Sequence, residues 1–425
     1  MMKILNSIHE LQESLLDIKR DEPKLMQLYD AVYEIANDKN SFAGRSSGVI
    51  EALKNGELLD HEEKNWLNYV SEIYAAYAAV KMYEELQQGT LEFTEAELGE
   101  VLSFYQCGSY CREVTAIGLY VCAQQMNENA PMQSYELMKE AFTIYPDLAS
   151  LLGVKYCYKG KAAQEELTEE CPWCGASGED IIPYYCSAQV MQLENNQSFP
   201  PAKLWMKCGS CGNLFVYNFP KSSIGLINGH YTRKGKDDKL ENKFSLDCYN
   251  SIFNQFKAIT PGKEYLEIGT GTGEMLAVAL EFGYSVDAIE ICEEDCERIS
   301  AFFRGGGVEV QWSDIADYET DKQYDVIVMG DVLEHVTEPV RVLKKVKQML
   351  KEQGVLWIST PNYNSAYARM ERFSHCMWHA LNHYTYVSFE SLNQLLQDMG
   401  MEVIHYDMST RYVGSMELFV KRRVE

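Results

Sequence analysis

The sequence predicts an α/β protein: a doubly wound parallel sheet closed by an antiparallel C-terminal strand pair. A cysteine-rich module and an all-α N-terminal domain precede it. Three observations carry this reading. From about residue 240 short apolar runs alternate with helical stretches, the pattern of parallel strands joined by crossover helices. Glycines at 269, 271 and 273 follow the first of those runs and open a helix. Two Cys-x-x-Cys pairs stand upstream, in a segment richer in Pro, Gly and Cys. We place the domains at 1–163 (helical), 164–225 (zinc-ribbon-like) and 226–425 (α/β).

A chain of 425 residues has room for these parts, and each is long enough to bury a core or be stapled by a metal. Hydrophobic content of 46% with 24% charged residues is an ordinary globular balance. The formal net charge is −25, and more than half of that excess lies in residues 1–150. Such a surface repels a phosphate backbone, so nucleic acid is excluded as a substrate. The basic clusters Arg233 to Lys239 and Lys421 to Arg423 are too short to change this. The N-terminus turns charged too soon for a signal-peptide core, and no run of some 18 apolar residues offers a membrane span. With thirteen cysteines and no export signal, the chain is expected to be cytoplasmic, its thiols free or metal-bound.

The elements follow in order. His61 to Leu86 reads as a helix, with Trp66, Val70, Ile73, Tyr77 and Val80 at helical spacing before Gly89. Ala141-x-x-x-Tyr145-Pro146, then Leu152-Gly153-x-x-Tyr156, is similar to a tetratricopeptide unit. It covers about one repeat, which leaves open an irregular helical domain or a degenerate repeat surface for a protein partner. Leu204–Lys207 and Leu214–Asn218 are strand-like. Five strands are then expected at Tyr265–Ile268, Ser285–Ile289, Val308–Gln311, Asp325–Met329 and Val355–Thr360. Glu402–Met408 and Ser415–Val420 lie too close together for a crossover and form an antiparallel pair. An insert, Asn362 to Tyr386, precedes that pair.

Cys171-Pro-Trp-Cys174-Gly and Cys208-Gly-Ser-Cys211-Gly each put two sulfurs on one tight turn. Four thiolates suit tetrahedral zinc, and a closed four-sulfur shell is structural because no position stays open for chemistry. Cys186, between the pairs, is read as a bystander.

Glu267, Gly269, Gly271 and Gly273 give E-x-G-x-G-x-G at a strand end. Glycine lets a ligand approach main-chain N–H groups, and the helix start favours an anionic group. The second strand ends in Glu290, whose carboxylate suits two ribose hydroxyls. The third ends near Asp314, suited to the exocyclic amine of adenine, with Ile291 and Ile315 placed to sandwich the ring. The dinucleotide pattern G-x-G-x-x-G is not what the loop carries.

The fourth strand runs into Asp331-Val-Leu-Glu-His335, followed by Gly354–Asn362 (G-V-L-W-I-S-T-P-N) and His383–Leu392. With these elements in order, residues from about 262 to 420 resemble a class I S-adenosylmethionine-dependent methyltransferase with a Rossmann-like sheet, in the branch carrying D-V-L-E-H. The resemblance implies that Gly269 and Gly271 hold the methionine end of the cofactor and that Glu267 orients the loop and the amino group. It further implies Glu290 on the ribose, Asp314 on the adenine and Asp331 beside the sulfonium. Some sugar and glycan methyltransferases of this branch similarly carry a C-P-x-C-G…C-x-x-C-G segment before the catalytic domain.

Methyl transfer needs mainly positioning and water exclusion, plus a base if the acceptor is a hydroxyl. His335, at the mouth of the sheet, and His383, in the insert, are the expected catalytic residues; pinning the lid is the other role open to His335. The insert carries Tyr363, Tyr367, Phe373, His375, Trp378, His379, Tyr384 and Tyr386 with Arg369 and Arg372, a composition suited to a substrate lid. His375, His379 and His383 would share one face of a helix. The expected activity is O-methylation of a small molecule or sugar/glycan acceptor, with C- or N-methylation as the alternative. A non-catalytic cofactor-binding scaffold, or methylation of a protein held by the helical domain, also remains open.

Overall fold

The computed structural model describes residues 112–146, 148, 165–188, 200, 202–219, 243–380 and 382–423, together with His61. The chain falls into two compact units, Met1–Ala163 and Gln164–Glu425. In the first, helices α1 (Arg112–Met126) and α2 (Pro131–Ile144) pack through Leu119, Tyr120 and Ala123 against Tyr135, Met138 and Phe142. Pro131 sits at the α2 start, where its missing N–H costs nothing. The expected 61–86 helix and the Leu152–Tyr156 opening lie outside the described residues.

The second unit begins with three antiparallel strands, β1 (Ile181–Ala188), β2 (Ala202–Cys208) and β3 (Leu214–Val216). Helix α3 (Lys243–Ile259) then leads into β4 (Glu264–Ile268), α4 (Glu274–Glu281), β5 (Ser285–Glu290), α5 (Glu293–Phe302) and β6 (Val308–Trp312). There follow β7 (Tyr324–Gly330), α6 (Pro339–Met349), β8 (Leu350–Pro361) and the short helix α7 (Ala366–Glu371). The chain ends with β9 (Thr385–Tyr386), α8 (Phe389–Asp398), β10 (Met401–Met408) and β11 (Ser415–Arg422).

The large sheet runs β10-β11-β8-β7-β4-β5-β6. β4 to β8 are parallel, and β11 and β10 close the edge antiparallel, as the spacing of those two segments predicts. The order reverses between β4 and β7, so a crevice opens at their C-terminal ends. One face is sealed by Phe253 and Phe256 of α3 against Tyr265, Val328, Trp357 and Phe419, all at most 1% exposed. Each such side chain contributes about 1.5–3 kcal/mol of burial. Among the described residues no helix is long and apolar enough to cross a membrane.

The insert departs from expectation. It is not a free lid: β9 pairs with β3, Leu214 opposite Tyr386, and makes the cysteine module's sheet four-stranded. Nor does it place His375 and His383 on one helix face, because α7 ends at Glu371 and short 3-10 turns follow. Arg372, in the left-handed region at φ 50°, breaks the helix there.

Candidate functional site

The glycine loop leaves β4 with all three glycines at positive φ, at 78°, 51° and 83° for Gly269, Gly271 and Gly273. A Cβ at Gly269 would stand 2.7 Å from Val332 Cγ2, and one at Gly273 2.8 Å from Ile299 Cδ1. At Gly271 it would meet nothing within 4 Å. Two glycines are therefore required by close packing, and the third lies open.

Glu290 fastens this loop to β5. Thr270 donates to its Oε2 from both N and Oγ1 at 3.0 Å, and Cys292 N donates to Oε1 at 3.0 Å. A carboxylate has about four lone-pair sites. Glu290 therefore keeps one for a ligand rather than the two that the sequence expectation assigns to ribose.

Gly269, Ile291, Asp314, Ile315 and His335 come together along one cleft of about 740 Å³, counting its solvent-open part. Asp314 caps its own turn by accepting from Ala316 N at 2.8 Å, and Ile315 is buried. The cleft also takes in Val332, Thr337 and Arg341.

Glu267 and Asp331 do not line this cleft. They belong to a polar cluster around Arg411, on the turn between β10 and β11. Arg411 pairs with Asp331 Oδ2 at 3.1 Å, donates to Ser359 Oγ at 2.8 Å and lies 5.4 Å from the Trp357 ring centroid. Asp331 holds a left-handed φ of 55°, a costly conformation for a side-chain-bearing residue. Ser359 secures it, its O accepting from Asp331 N and its Oγ donating to Asp331 Oδ1 at 2.7 Å. Burial pushes the Glu267 carboxyl up to about 8, against the hydrogen bond from the Tyr265 hydroxyl and the attraction of Arg411.

His335 and His383 meet edge to face, ring centroids 4.7 Å apart. Burial lowers His335 to about 4 and His383 well below the usual imidazole value, aided for His383 by His335 and Lys203. Lys203 of β2 is fully buried and donates from Nζ to Ala380 O at 3.1 Å and His383 O at 2.6 Å. The cysteine module thus holds the backbone of one expected catalytic histidine. Trp205 stacks on Tyr386 at 4.5 Å and Tyr185 on Phe373 at 4.0 Å across the same boundary. His375 is turned elsewhere, its Nε2 3.1 Å from Val413 O.

In the module, Cys171 and Cys211 sulfurs lie 3.6 Å apart and those of Cys174 and Cys208 3.5 Å apart, all four within 4.8 Å of one another. Zinc bonded to sulfur at about 2.3 Å separates tetrahedral ligands by roughly 3.8 Å, so the cluster fits that ion. Gly175 N and Gly212 N donate to Cys171 O and Cys208 O, closing two matching turns with φ near 75°. Cys186 is buried in β1 and is not part of this group.

Sequence reasoning missed Glu334, Arg411 and Lys203. Glu334 stands inside the Asp331–His335 motif, which is its signal in the sequence. Arg411 and Lys203 carried none, because Asp331 lies 80 positions from the first and His383 180 from the second.

Residues 249–406 match a family model described as a methyltransferase domain. The chain is 27% identical over 159 residues to a ubiquinone biosynthesis O-methyltransferase of Rickettsia canadensis, covering 34% of this chain and 67% of that relative. It is 30% identical over 109 residues to the same-named protein of Actinobacillus pleuropneumoniae, covering 24% of this chain and 47% of the relative. For most such relatives the match spans about half their length or less. Among solved structures, magnesium protoporphyrin IX methyltransferase from Synechocystis PCC 6803 aligns at 16% identity and a TM-score of 0.39, over 48% of this chain and 97% of that one. The similarity to methyltransferases is thus confined to the C-terminal part of the chain.

Proposed function

We propose that this chain transfers a methyl group from S-adenosylmethionine to an oxygen of a small-molecule or sugar acceptor. The observation that best supports it is the convergence of Gly269, Ile291, Asp314 and Ile315 on one cleft beside the loop that Glu290 fastens. The open side of Gly271 leaves room for a ligand against the main chain. The cofactor, when bound, supplies an electrophilic methyl on sulfur. Ile291 and Ile315 flank adenine, Asp314 accepts from its amine, and Glu290 uses its remaining lone pair on a ribose hydroxyl. Glu267 and Asp331 face the methionine end, where Arg411 offsets their charge.

His335 and His383 sit on the acceptor side. Both imidazoles stay neutral at cellular pH, so each keeps one ring-nitrogen lone pair on the acceptor side. His335→Ala and His383→Ala should each lower kcat by at least about 100-fold while S-adenosylhomocysteine affinity changes little. Wild-type kcat should also show no acid limb near pH 6.5, since His335 is neutral down to about 4. Unchanged turnover in both variants, with S-adenosylhomocysteine release as the assay, rejects this assignment. Absence of S-adenosylhomocysteine binding in calorimetry rejects the enzyme and the scaffold readings together.

Glu267 gives a separate prediction. With its pKa raised to about 8, the carboxyl is mostly protonated at pH 7 in the free protein. The cationic amino group of the cofactor favours the ionised form. Binding at pH 7 should therefore release close to one proton, falling towards none at pH 9, where Glu267 is already ionised. Calorimetry in two buffers of different ionisation enthalpy measures this, and Glu267→Gln should abolish it. Equal release at both pH values sinks the assignment.

The four cysteines, in this proposal, hold one structural zinc that folds the module. The helical domain at 1–163 is proposed as a protein-binding surface.

A further inference from the structure

We propose that Glu334, His335 and His383 form a second metal site, for a divalent ion of the zinc, iron and manganese class, open on the acceptor side. The inference rests on the placement of the acceptor proposed above. Its starting point is geometric: one carboxylate oxygen and two imidazole nitrogens lie within 4.8 Å of one another, on the turn after β7 and on the insert.

The hydrogen bonds fix which atoms face inward. Asn382 O, which can only accept, lies 2.8 Å from His335 Nδ1, so that nitrogen carries the proton. The Tyr386 hydroxyl gives its one proton to Met377 O and so accepts from His383 Nδ1, at 2.7 Å. Both Nε2 atoms are thereby left as bare lone pairs. Thr360 Oγ1 donates to Glu334 Oε2 at 3.0 Å, leaving Oε1 as the inward oxygen, 3.9 Å from His335 Nε2.

Such outer partners are what metal-bound histidines and carboxylates carry: the far ring nitrogen donates, and the second carboxylate oxygen accepts. A direct hydrogen bond does not explain the pair, because 3.9 Å is too long for one. Ligands sharing an ion at about 2.0–2.2 Å lie roughly 3.0–3.5 Å apart, so a contraction of about an ångström completes the site. Glu334 is 2% exposed, and burial beside the Asp331 charge disfavours its carboxylate more than Thr360 and the Arg411 charge favour it. Lys203 is held on the carbonyls of Ala380 and His383 and favours neutral imidazoles.

Two nitrogens and one oxygen form a donor set unlike the four thiolates of the cysteine module. Three protein ligands leave positions open, as catalytic metal sites do. His335 lines the cofactor cleft, so an acceptor oxygen coordinated there would sit beside the methyl donor.

The test uses the full chain, stripped with a chelator and reloaded with zinc, then titrated with Mn(II) and followed by electron paramagnetic resonance. Mn(II) avoids thiolate sites. Wild type should bind two metals per chain with zinc present, one of them replaceable by Mn(II). His383→Ala and Glu334→Gln should each weaken Mn(II) at least about 100-fold and keep the other equivalent, which Cys208→Ser should lose. S-adenosylhomocysteine titration of the same samples checks folding and separates the two readings. If it binds and only one metal is held, or Mn(II) binding survives His383→Ala, the second site is overturned. If two metals bind and S-adenosylhomocysteine does not, the cofactor reading fails and the metal site stands.

Discussion

Glu290→Ala should weaken S-adenosylhomocysteine binding by at least about 100-fold, roughly 3 kcal/mol. The carboxylate does two things at once. It is the proposed acceptor for a ribose hydroxyl, and it takes three hydrogen bonds from Thr270 and Cys292 that shape the glycine loop. Each bond to a charged acceptor is worth about 1.5–3 kcal/mol, and removing the acceptor strands buried N–H donors. Loop distortion and ligand loss therefore add. Glu290→Gln keeps the shape and one acceptor oxygen, so its effect should be intermediate, about tenfold. Calorimetry on the two variants measures both, with thermal unfolding to confirm that the sheet persists. An affinity within fivefold of wild type in Glu290→Ala would falsify the assignment.

Cys171→Ser combined with Cys208→Ser should abolish methyl transfer while leaving S-adenosylhomocysteine binding within about threefold. The free energy of a structural four-ligand zinc is on the order of 10–16 kcal/mol in small peptides, more than a three-strand module can replace. Its loss would free β3 from β9 and release Lys203 from the carbonyls of Ala380 and His383. The cofactor cleft is built from the ends of β4 and β5, the loops after β4, β5, β6 and β7 and the start of α6, none of which belongs to the module. Turnover and affinity should thus separate. Full turnover in a variant shown by elemental analysis to lack the cysteine-bound metal would remove the module from the acceptor side. Lys203→Met, which keeps the cysteines, should lower kcat with the metal content unchanged.

The parts legible in the sequence were those fixed by neighbours in the chain. The alternation of apolar runs and helices gave the sheet, since periodicity reports which face a segment buries. The close spacing of the last two strands predicted their antiparallel pairing, now seen with Met408 opposite Met416. The Cys-x-x-Cys pairs and the alternate glycines are local turns, and the structure closes both cysteine turns with glycines at positive φ.

The insert was misread for the same reason. Its three histidines at intervals of four fit a helix pattern, yet β3 captures Tyr386 as an edge partner and draws the segment into the module's sheet. Pairing with a strand 170 residues away leaves no periodic signature in the strand that is captured.

The sequence by itself determined the order of the elements, the glycine loop and its flanking acids, and the two cysteine turns, because each is set by residues a few positions apart. Tertiary structure alone decided that Arg411 meets Asp331, that Lys203 holds His383, and that Glu334, His335 and His383 face one another. Those contacts join segments whose separation along the chain exceeds any helical or strand period. Only the closing of the sheet and the docking of the cysteine module bring them together.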